Sequence, residues 1–373
     1  DLHSFPTRRS SDLHIAGFGT RGALDLTAGT RSRDAGEYLV TSPPAVYGDL
    51  VITGSAIGDN RAVELERGIV RAFDARTGAL RWSFDPLPDA ATHPAAKEWR
   101  TDQAQRTGAA NAWAVMSVDP ARGIVFVPTG SASPDFYGGE RLGSNRFASS
   151  LLALEAATGK LLWHQQTVHH DLWDYDLAAQ PMLVDLDFDD GSVPAVVQAT
   201  KTGMLFVYDR ETGAPVFPIE ERPVPASRVS GESSSPTQPF SSLPALASHE
   251  PLDPAAAWGL TFWDRGKCRE AIEGLRNEGI FTPPDLRGTL VFPGYAGGVN
   301  WGGVAYDAQR QRVIAAVNHL AMVVTLLPRA EGATQSRSGR YPGSEFARQA
   351  GTPYAMRREP RSEEHTSELQ SPI

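Results

Sequence analysis

The residues best placed to do chemistry are Asp174, in the run Trp173-Asp174-Tyr175-Asp176, and Lys201, in Ala199-Thr200-Lys201-Thr202-Gly203. A loop carboxylate beside an indole, with an ammonium one structural repeat further on, could form a compact acid/base and cation site. A carboxylate held at a hydroxyl can take its proton in the transition state, typically worth ~10²–10⁴-fold in rate. An ammonium beside a carbonyl oxygen stabilises negative charge that develops there. Taken alone, Asp174 is more often a turn former, and a lysine before Thr-Gly is a solvated turn residue. Asp171 and Asp176 read as structural neighbours. His169 and His170 look like a metal pair, but adjacent residues on a strand point to opposite faces, so they are expected to pack or to support the site.

The two ends of the chain are set aside from fold reasoning. Residues 1–13 contain His3-Ser4-Phe5-Pro6-Thr7-Arg8-Arg9-Ser10-Ser11-Asp12-Leu13, which looks like a translated sequencing-library adapter. Residues 361–373, beginning Arg361-Ser362-Glu363-Glu364-His365-Thr366-Ser367, look like the opposite adapter. The natural part, 14–360, is then expected to be an open-ended fragment of a longer protein. Across all 373 residues, 35 basic and 44 acidic side chains leave a formal charge of −9. That mild acidity argues against nucleic acid, whose binding surfaces are basic. No apolar run approaches the ~18 residues of a spanning helix. Cys268 is the sole cysteine, so no internal disulfide can form, and one thiol does not decide the redox compartment.

The elements that must position Asp174 and Lys201 repeat. Ala72-Phe73-Asp74-Ala75-Arg76-Thr77-Gly78 is followed by Trp82, and Ala153-Leu154-Glu155-Ala156-Ala157-Thr158-Gly159 by Trp163 at the same offset. Val207-Tyr208-Asp209-Arg210-Glu211-Thr212-Gly213 has Phe217 in that place. Each reads as an apolar strand, a turn built by an acid, Thr and Gly, and a returning strand whose aromatic packs between sheets. The abundance of Gly and Pro, 35 and 28 residues, suits the many turns of an all-β protein. Recurrence at this spacing is the signature of a propeller of antiparallel blades. Further strands are expected at Asp49–Thr53, Gly123–Val127, Pro194–Gln198, Thr289–Phe292 and Arg312–Val317, with weak helical periodicity only around Cys268–Arg276. The Pro- and Ser-rich stretch 218–288 reads as a long insertion between blades.

This repeat, with the Trp-Asp and Lys-Thr-Gly runs, resembles the pyrroloquinoline quinone (PQQ)-dependent quinoprotein dehydrogenases, in particular the membrane-bound glucose dehydrogenase branch. Gly279-Ile280-Phe281-Thr282-Pro283-Pro284 and Gly288-Thr289-Leu290-Val291-Phe292-Pro293-Gly294 are especially close to that branch. The resemblance implies an eight-bladed quinoprotein-type β-propeller, of which this chain would hold roughly half, leaving the ring open. It implies that Asp174 is the base and Lys201 the cation at the quinone oxygens. Trp113, in Asn111-Ala112-Trp113, matches the indole beneath the PQQ ring, a flat surface suited to offset stacking; read alone it is equally a core residue. Asp59 and Asn60 match the family's metal-binding Asp-Asn pair, whose oxygens suit Ca²⁺ or Mg²⁺, although Gly-Asp-Asn alone would read as a turn. Ser133 stands where the glucose enzymes place a threonine near the metal. Asn300, Trp301 and Asn318 match the Trp-Gly-Gly strand and a cofactor-contacting asparagine, with Asn300 where those enzymes carry an acid.

The function implied is oxidation of an aldose, glucose at its anomeric hydroxyl foremost, with electrons passed to membrane ubiquinone. The parent would be periplasmic and held to the inner membrane through a missing N-terminal region, and this fragment alone is expected to be inactive. A second reading keeps the chemistry for another alcohol or polyol. A third is a catalytically empty propeller used as a binding scaffold, which should lack Asp59-Asn60, Asp174 and Lys201 together.

Overall fold

The computed structural model describes residues 17–32, 37–88, 94–99, 106–189, 191–257, 259, 261–337 and 343–361. Both expected adapter segments lie outside these residues, except that Arg361 ends a strand. The described part is mostly β, in small antiparallel sheets that follow one another along the chain.

The first four-stranded sheet joins Ala45–Tyr47, Leu50–Thr53, Val70–Asp74 and Leu80–Phe84 in chain order. The second repeats this meander with Ser117–Asp119, Ile124–Pro128, Ser150–Glu155 and Leu161–Gln166. A third joins Met182–Phe188, Gly191–Ala199 and Leu205–Asp209. A fourth pairs Thr289–Val291 with Ala321–Pro328, which pairs with Tyr354–Arg361 and then Glu345–Ala347. Strands inside a sheet are apolar on both faces, as in the fully buried Ile124–Pro128. The last strand of the meander, Leu161–Gln166, buries only Trp163. The expected strands near residues 50, 124, 194, 289 and 312 are all present, with each end within three residues of the one expected.

The repeated turns explain how neighbouring sheets are joined. Asp74 Oδ1 accepts the amide N–H groups of Arg76 and Thr77, and Asp209 Oδ1 those of Glu211 and Thr212. The chain then reverses at Gly78, Gly159 and Gly213, each near φ +73°. The tryptophan of one sheet docks on the turn of the next. Trp82 Nε1 donates to Ala156 O at 3.0 Å and Trp163 Nε1 to Arg210 O at 3.1 Å. A Cβ on Gly159 would lie 2.4 Å from the Trp82 ring, and one on Gly213 2.6 Å from the Trp163 ring. Glycine is therefore required there for two reasons, backbone sign and contact. Phe217, lacking an indole N–H, instead packs against Phe188 at 6.3 Å between centroids.

Within 218–288 the chain forms the hairpin Ile219–Pro223/Thr237–Ser241 and a helix, Phe262–Glu273. The helix begins at an N-cap in which the Thr261 hydroxyl oxygen accepts from Asp264 N, and it buries none of its residues. It lies earlier than the weak periodicity around Cys268–Arg276 suggested, because only Ile272 packs against the core and the helix's apolar pattern is faint. Among the described residues no helix is long and apolar enough to cross a membrane.

Candidate active site

The site is built where connections from successive sheets meet. Asp59 and Asn60 follow the first sheet's Leu50–Thr53, and Trp113 precedes the second sheet. Asp174 and Asp176 precede the third, and Lys201 caps its turn between Gly191–Ala199 and Leu205–Asp209. Along 173–176 the side chains alternate. Trp173 and Tyr175 are buried and stacked, and they anchor inward: Trp173 Nε1 donates to Thr282 O at 2.8 Å and the Tyr175 hydroxyl to Pro293 O. Asp174 and Asp176 are thereby turned to the opposite side, toward Lys201. Asp174 sits at φ +61°, a left-handed conformation that costs most side chains energy but that Asp tolerates. Asp171 holds the turn, its Oδ1 accepting Trp173 N at 2.9 Å and Tyr175 N at 3.2 Å.

Lys201 is almost wholly buried, and its ammonium uses all three protons. It donates to Asp174 Oδ1 at 2.7 Å, to Asp174 O at 2.9 Å and to Asp176 Oδ1. Trp113 Nε1 donates to Asp176 Oδ2 at 2.5 Å, and Lys201 Nζ lies 5.8 Å from the Trp113 ring centroid. Arg358 approaches the other oxygen of Asp174, with Nη1 3.4 Å from Oδ2, and stacks over Tyr295 at 3.9 Å. Asn60 Nδ2 donates to Asp135 Oδ2 at 2.7 Å; Asp135 Oδ1 is buried with no N–H donor against it, and the Asp135 carboxyl lies beside that of Asp59.

The electrostatics follow from this crowding. Burial pushes the Asp174 carboxyl well above the usual range, with Lys201 and Arg358 pulling against it and Asp176 and Asp59 adding to the rise. Asp135 is also pushed well up, by burial and then by the charge of Asp59. Asp59 is raised by burial and by Asp176. Burial alone would favour a neutral Lys201, but Asp174 and Asp176 outweigh it and hold the ammonium above its ordinary value. Four carboxylates thus face two cations, and one carboxylate oxygen has no N–H donor against it. An all-oxygen, electron-rich cluster of this kind fits a hard divalent cation. Among the described residues no group of three or more His, Cys, Asp or Glu is arranged to cage a metal unaided. A cation here would therefore need further donors beyond those carboxylates.

The expected residues divide into two sets. Asp174, Lys201 and Trp113 come together directly, and Asp59 and Asn60 border them through Asp176 and Asp135. Ser133 is fully buried, but its hydroxyl serves loop backbone, accepting Gly108 N at 3.0 Å and donating to Val63 O at 2.9 Å. The segment carrying Asn300 lies on the lysine turn, since Val299 N donates to Thr200 O at 3.0 Å. The amides of Asn300 and Asn318 nevertheless bond locally, to Tyr295 O at 3.1 Å and Ala296 O at 3.2 Å. Trp301 is 79% exposed. Asp176, read as merely structural, proves to share Lys201 with Asp174. Asp135 and Arg358 were missed: the former stands in an unremarkable loop and the latter lies 184 residues from Asp174. His169 and His170 do diverge, but in a turn rather than on a strand; their Nε2 atoms face Glu221 and Glu232.

Known proteins are similar to this chain. A family model described as PQQ: Glucose/ethanol/alcohol dehydrogenase, beta-propeller domain, matches residues 13–372. The quinoprotein glucose dehydrogenase of Gluconobacter oxydans (strain 621H) is 43% identical over 322 residues, which cover 85% of this chain and 39% of that protein. The quinate/shikimate dehydrogenase (quinone) of Acinetobacter baylyi (strain ATCC 33305 / BD413 / ADP1) is 40% identical over 296 residues, 78% of this chain and 36% of the relative. Among solved structures, quinohemoprotein alcohol dehydrogenase from Comamonas testosteroni superposes with a TM-score of 0.56 at 22% identity, over 80% of this chain and 39% of that one. The chain spans about two fifths of the length of these relatives. It belongs to the PQQ-dependent glucose/ethanol/alcohol dehydrogenase family, of whose β-propeller it forms a part.

Proposed function

We propose that the parent protein oxidises an aldose, glucose foremost, using PQQ and Ca²⁺ or Mg²⁺, and passes the electrons to ubiquinone at the periplasmic face of the inner membrane. The observation that carries this is the meeting of Asp174, Asp176, Lys201 and Trp113 at hydrogen-bond distance, bordered by Asp59, Asn60 and Asp135. When bound, PQQ supplies the hydride acceptor and the cation a Lewis acid. Asp59 and Asn60 are assigned to the cation, with Asp135 beside them. Trp113, fixed by its bond to Asp176, is assigned as the flat surface beneath the cofactor, and Lys201 as the charge facing its oxygens.

Asp174 is assigned to the substrate hydroxyl. Its Oδ1 is committed to Lys201 at 2.7 Å, whereas Oδ2 has only the long 3.4 Å contact to Arg358. Oδ2 is thus the freer oxygen and the one assigned to take the proton. The residue acts as a base only once ionised, so turnover should rise with pH through its elevated titration. The reading is tested with full-length parent supplied with PQQ and Ca²⁺: glucose should drive reduction of a dye, and no turnover on any sugar or alcohol would count against it. A second reading, oxidation of a polyol, is favoured by the 40% identity to a quinate/shikimate dehydrogenase; faster turnover of quinate than glucose would select it. The buried charge cluster itself argues against a non-catalytic scaffold, which would have no use for it.

A further inference from the structure

We propose that Glu232 and His170 form a positioning latch, by which the segment inserted between blades fixes two loops, the one whose Asp135 braces the assigned cation ligand Asn60 and the one that presents the assigned base. The inference rests on the cation assignment made above. Glu232 lies in the connection between the hairpin strands Ile219–Pro223 and Thr237–Ser241, yet its side chain is only 3% exposed and that of its partner His170 only 1%. Glu232 Oε1 meets His170 Nε2 at 2.7 Å, and its Oε2 accepts Gly138 N at 2.5 Å. The other ring nitrogen, His170 Nδ1, faces Gly143 O at 2.8 Å. A carbonyl and a carboxylate are both acceptors, so each contact requires a proton, and a neutral ring supplies only one. With the carboxylate ionised the His170–Glu232 contact is charge-assisted, and such bonds are shorter and stronger than neutral ones.

The latch reaches both loops. Gly138 and Gly143 belong to the loop that also carries Asp135, whose carboxylate bonds Asn60 at 2.7 Å. Arg141, fully buried in the same loop, donates to Pro134 O at 2.9 Å, to Asp135 O at 3.1 Å and to Asp171 O. Asp171 in turn holds the amides of Trp173 and Tyr175, between which Asp174 projects. His170 is adjacent to Asp171 and sits at φ +46°, a backbone state that surrounding contacts must maintain. One buried carboxylate outside the cluster thus fixes the lateral position of Asp135 against Asn60 and of Asp174 against Lys201.

The test is calorimetric titration of the chain with Ca²⁺, well below the thermal midpoint of each variant. In Glu232→Leu, of similar bulk but without an acceptor, neither Gly138 N–H nor His170 Nε2 keeps its partner, which releases the loop. Loss of such supporting bonds typically weakens metal binding by about 10–100-fold, and that weakening is expected here. A role confined to holding the fold would instead lower the thermal midpoint and leave Ca²⁺ affinity unchanged, which would overturn the latch while leaving the cation site standing. A wild-type chain that binds no Ca²⁺ would remove both. Should Glu232→Leu fail to fold, His170→Leu serves with the same expectation, and failure of both to fold would mark the pair as purely architectural and overturn the proposal.

Discussion

Replacing Lys201 by Met removes the one ammonium that two buried carboxylates share. At the observed 2.7 Å from Asp174, and with an effective dielectric of about 20, a single pair of unit charges attracts by ~6 kcal/mol. Hydration lost on burial offsets several kcal/mol of this, so breaking the cluster should destabilise the chain by roughly 3–5 kcal/mol near neutral pH. The loss should depend on pH, with a definite sign. Burial already holds the Asp174 carboxyl well above its usual range, and Lys201 is what pulls it down. Without the lysine the carboxyl rises further, so the folded variant binds a proton that the unfolded chain gives up. Its stability therefore falls as pH climbs from the ordinary carboxylate range through the raised value, and remains low above it. Denaturant unfolding of wild type and Lys201→Met at about pH 5 and about pH 8 reads this out, with the larger difference expected at the higher pH. A deficit of the same size at both would show that the methionine acts through packing and that the charge argument is wrong.

Other expectations concern the fold and the assigned roles. Trp82→Ala should cost about 3–5 kcal/mol through lost burial and the empty space left on Gly159, measured by unfolding, and Trp82→Phe should cost less. Gly159→Ala should destabilise through both its φ of +73° and the 2.4 Å approach of the new Cβ to the Trp82 ring; unchanged stability would refute the docking geometry. Asp174→Asn in the full-length parent should lower turnover by ~10²-fold or more while quinone binding, followed by absorbance, persists. Ca²⁺ should raise the thermal midpoint more at about pH 8 than at about pH 5, because protons on the raised Asp59 and Asp135 compete with the cation.

Local sequence carried the blade repeat well, because each turn states its own requirements: an acid for the turn amides, glycine for positive φ, an aromatic at fixed offset. Asp174 and Lys201 were legible as a pair only through the resemblance of their runs to the quinoprotein family, since alone each reads as a turn residue. Asp135 and Arg358 were not, since their significance arises only when distant segments fold onto Asn60 and Asp174. Asn300, Trp301 and Asn318 show the converse: the surrounding glycines place their backbone beside the lysine turn, yet their side chains settle on local carbonyls or in solvent. The two histidines were expected on a strand and lie in a turn, where a left-handed residue, rather than pleat alternation, drives them apart. The helix Phe262–Glu273 was faint because an element that sets only Ile272 against the core leaves little hydrophobic signature.

The zigzag at 173–176 has a consequence for how this region can vary. With its two rings pinned to carbonyls more than a hundred residues downstream, inserting or deleting one residue would swap the acids with the aromatics. Carboxylates would be driven into oil and indole into the charged pocket. Chain length there is as tightly constrained as residue identity, and natural drift should enter this stretch by substitution alone.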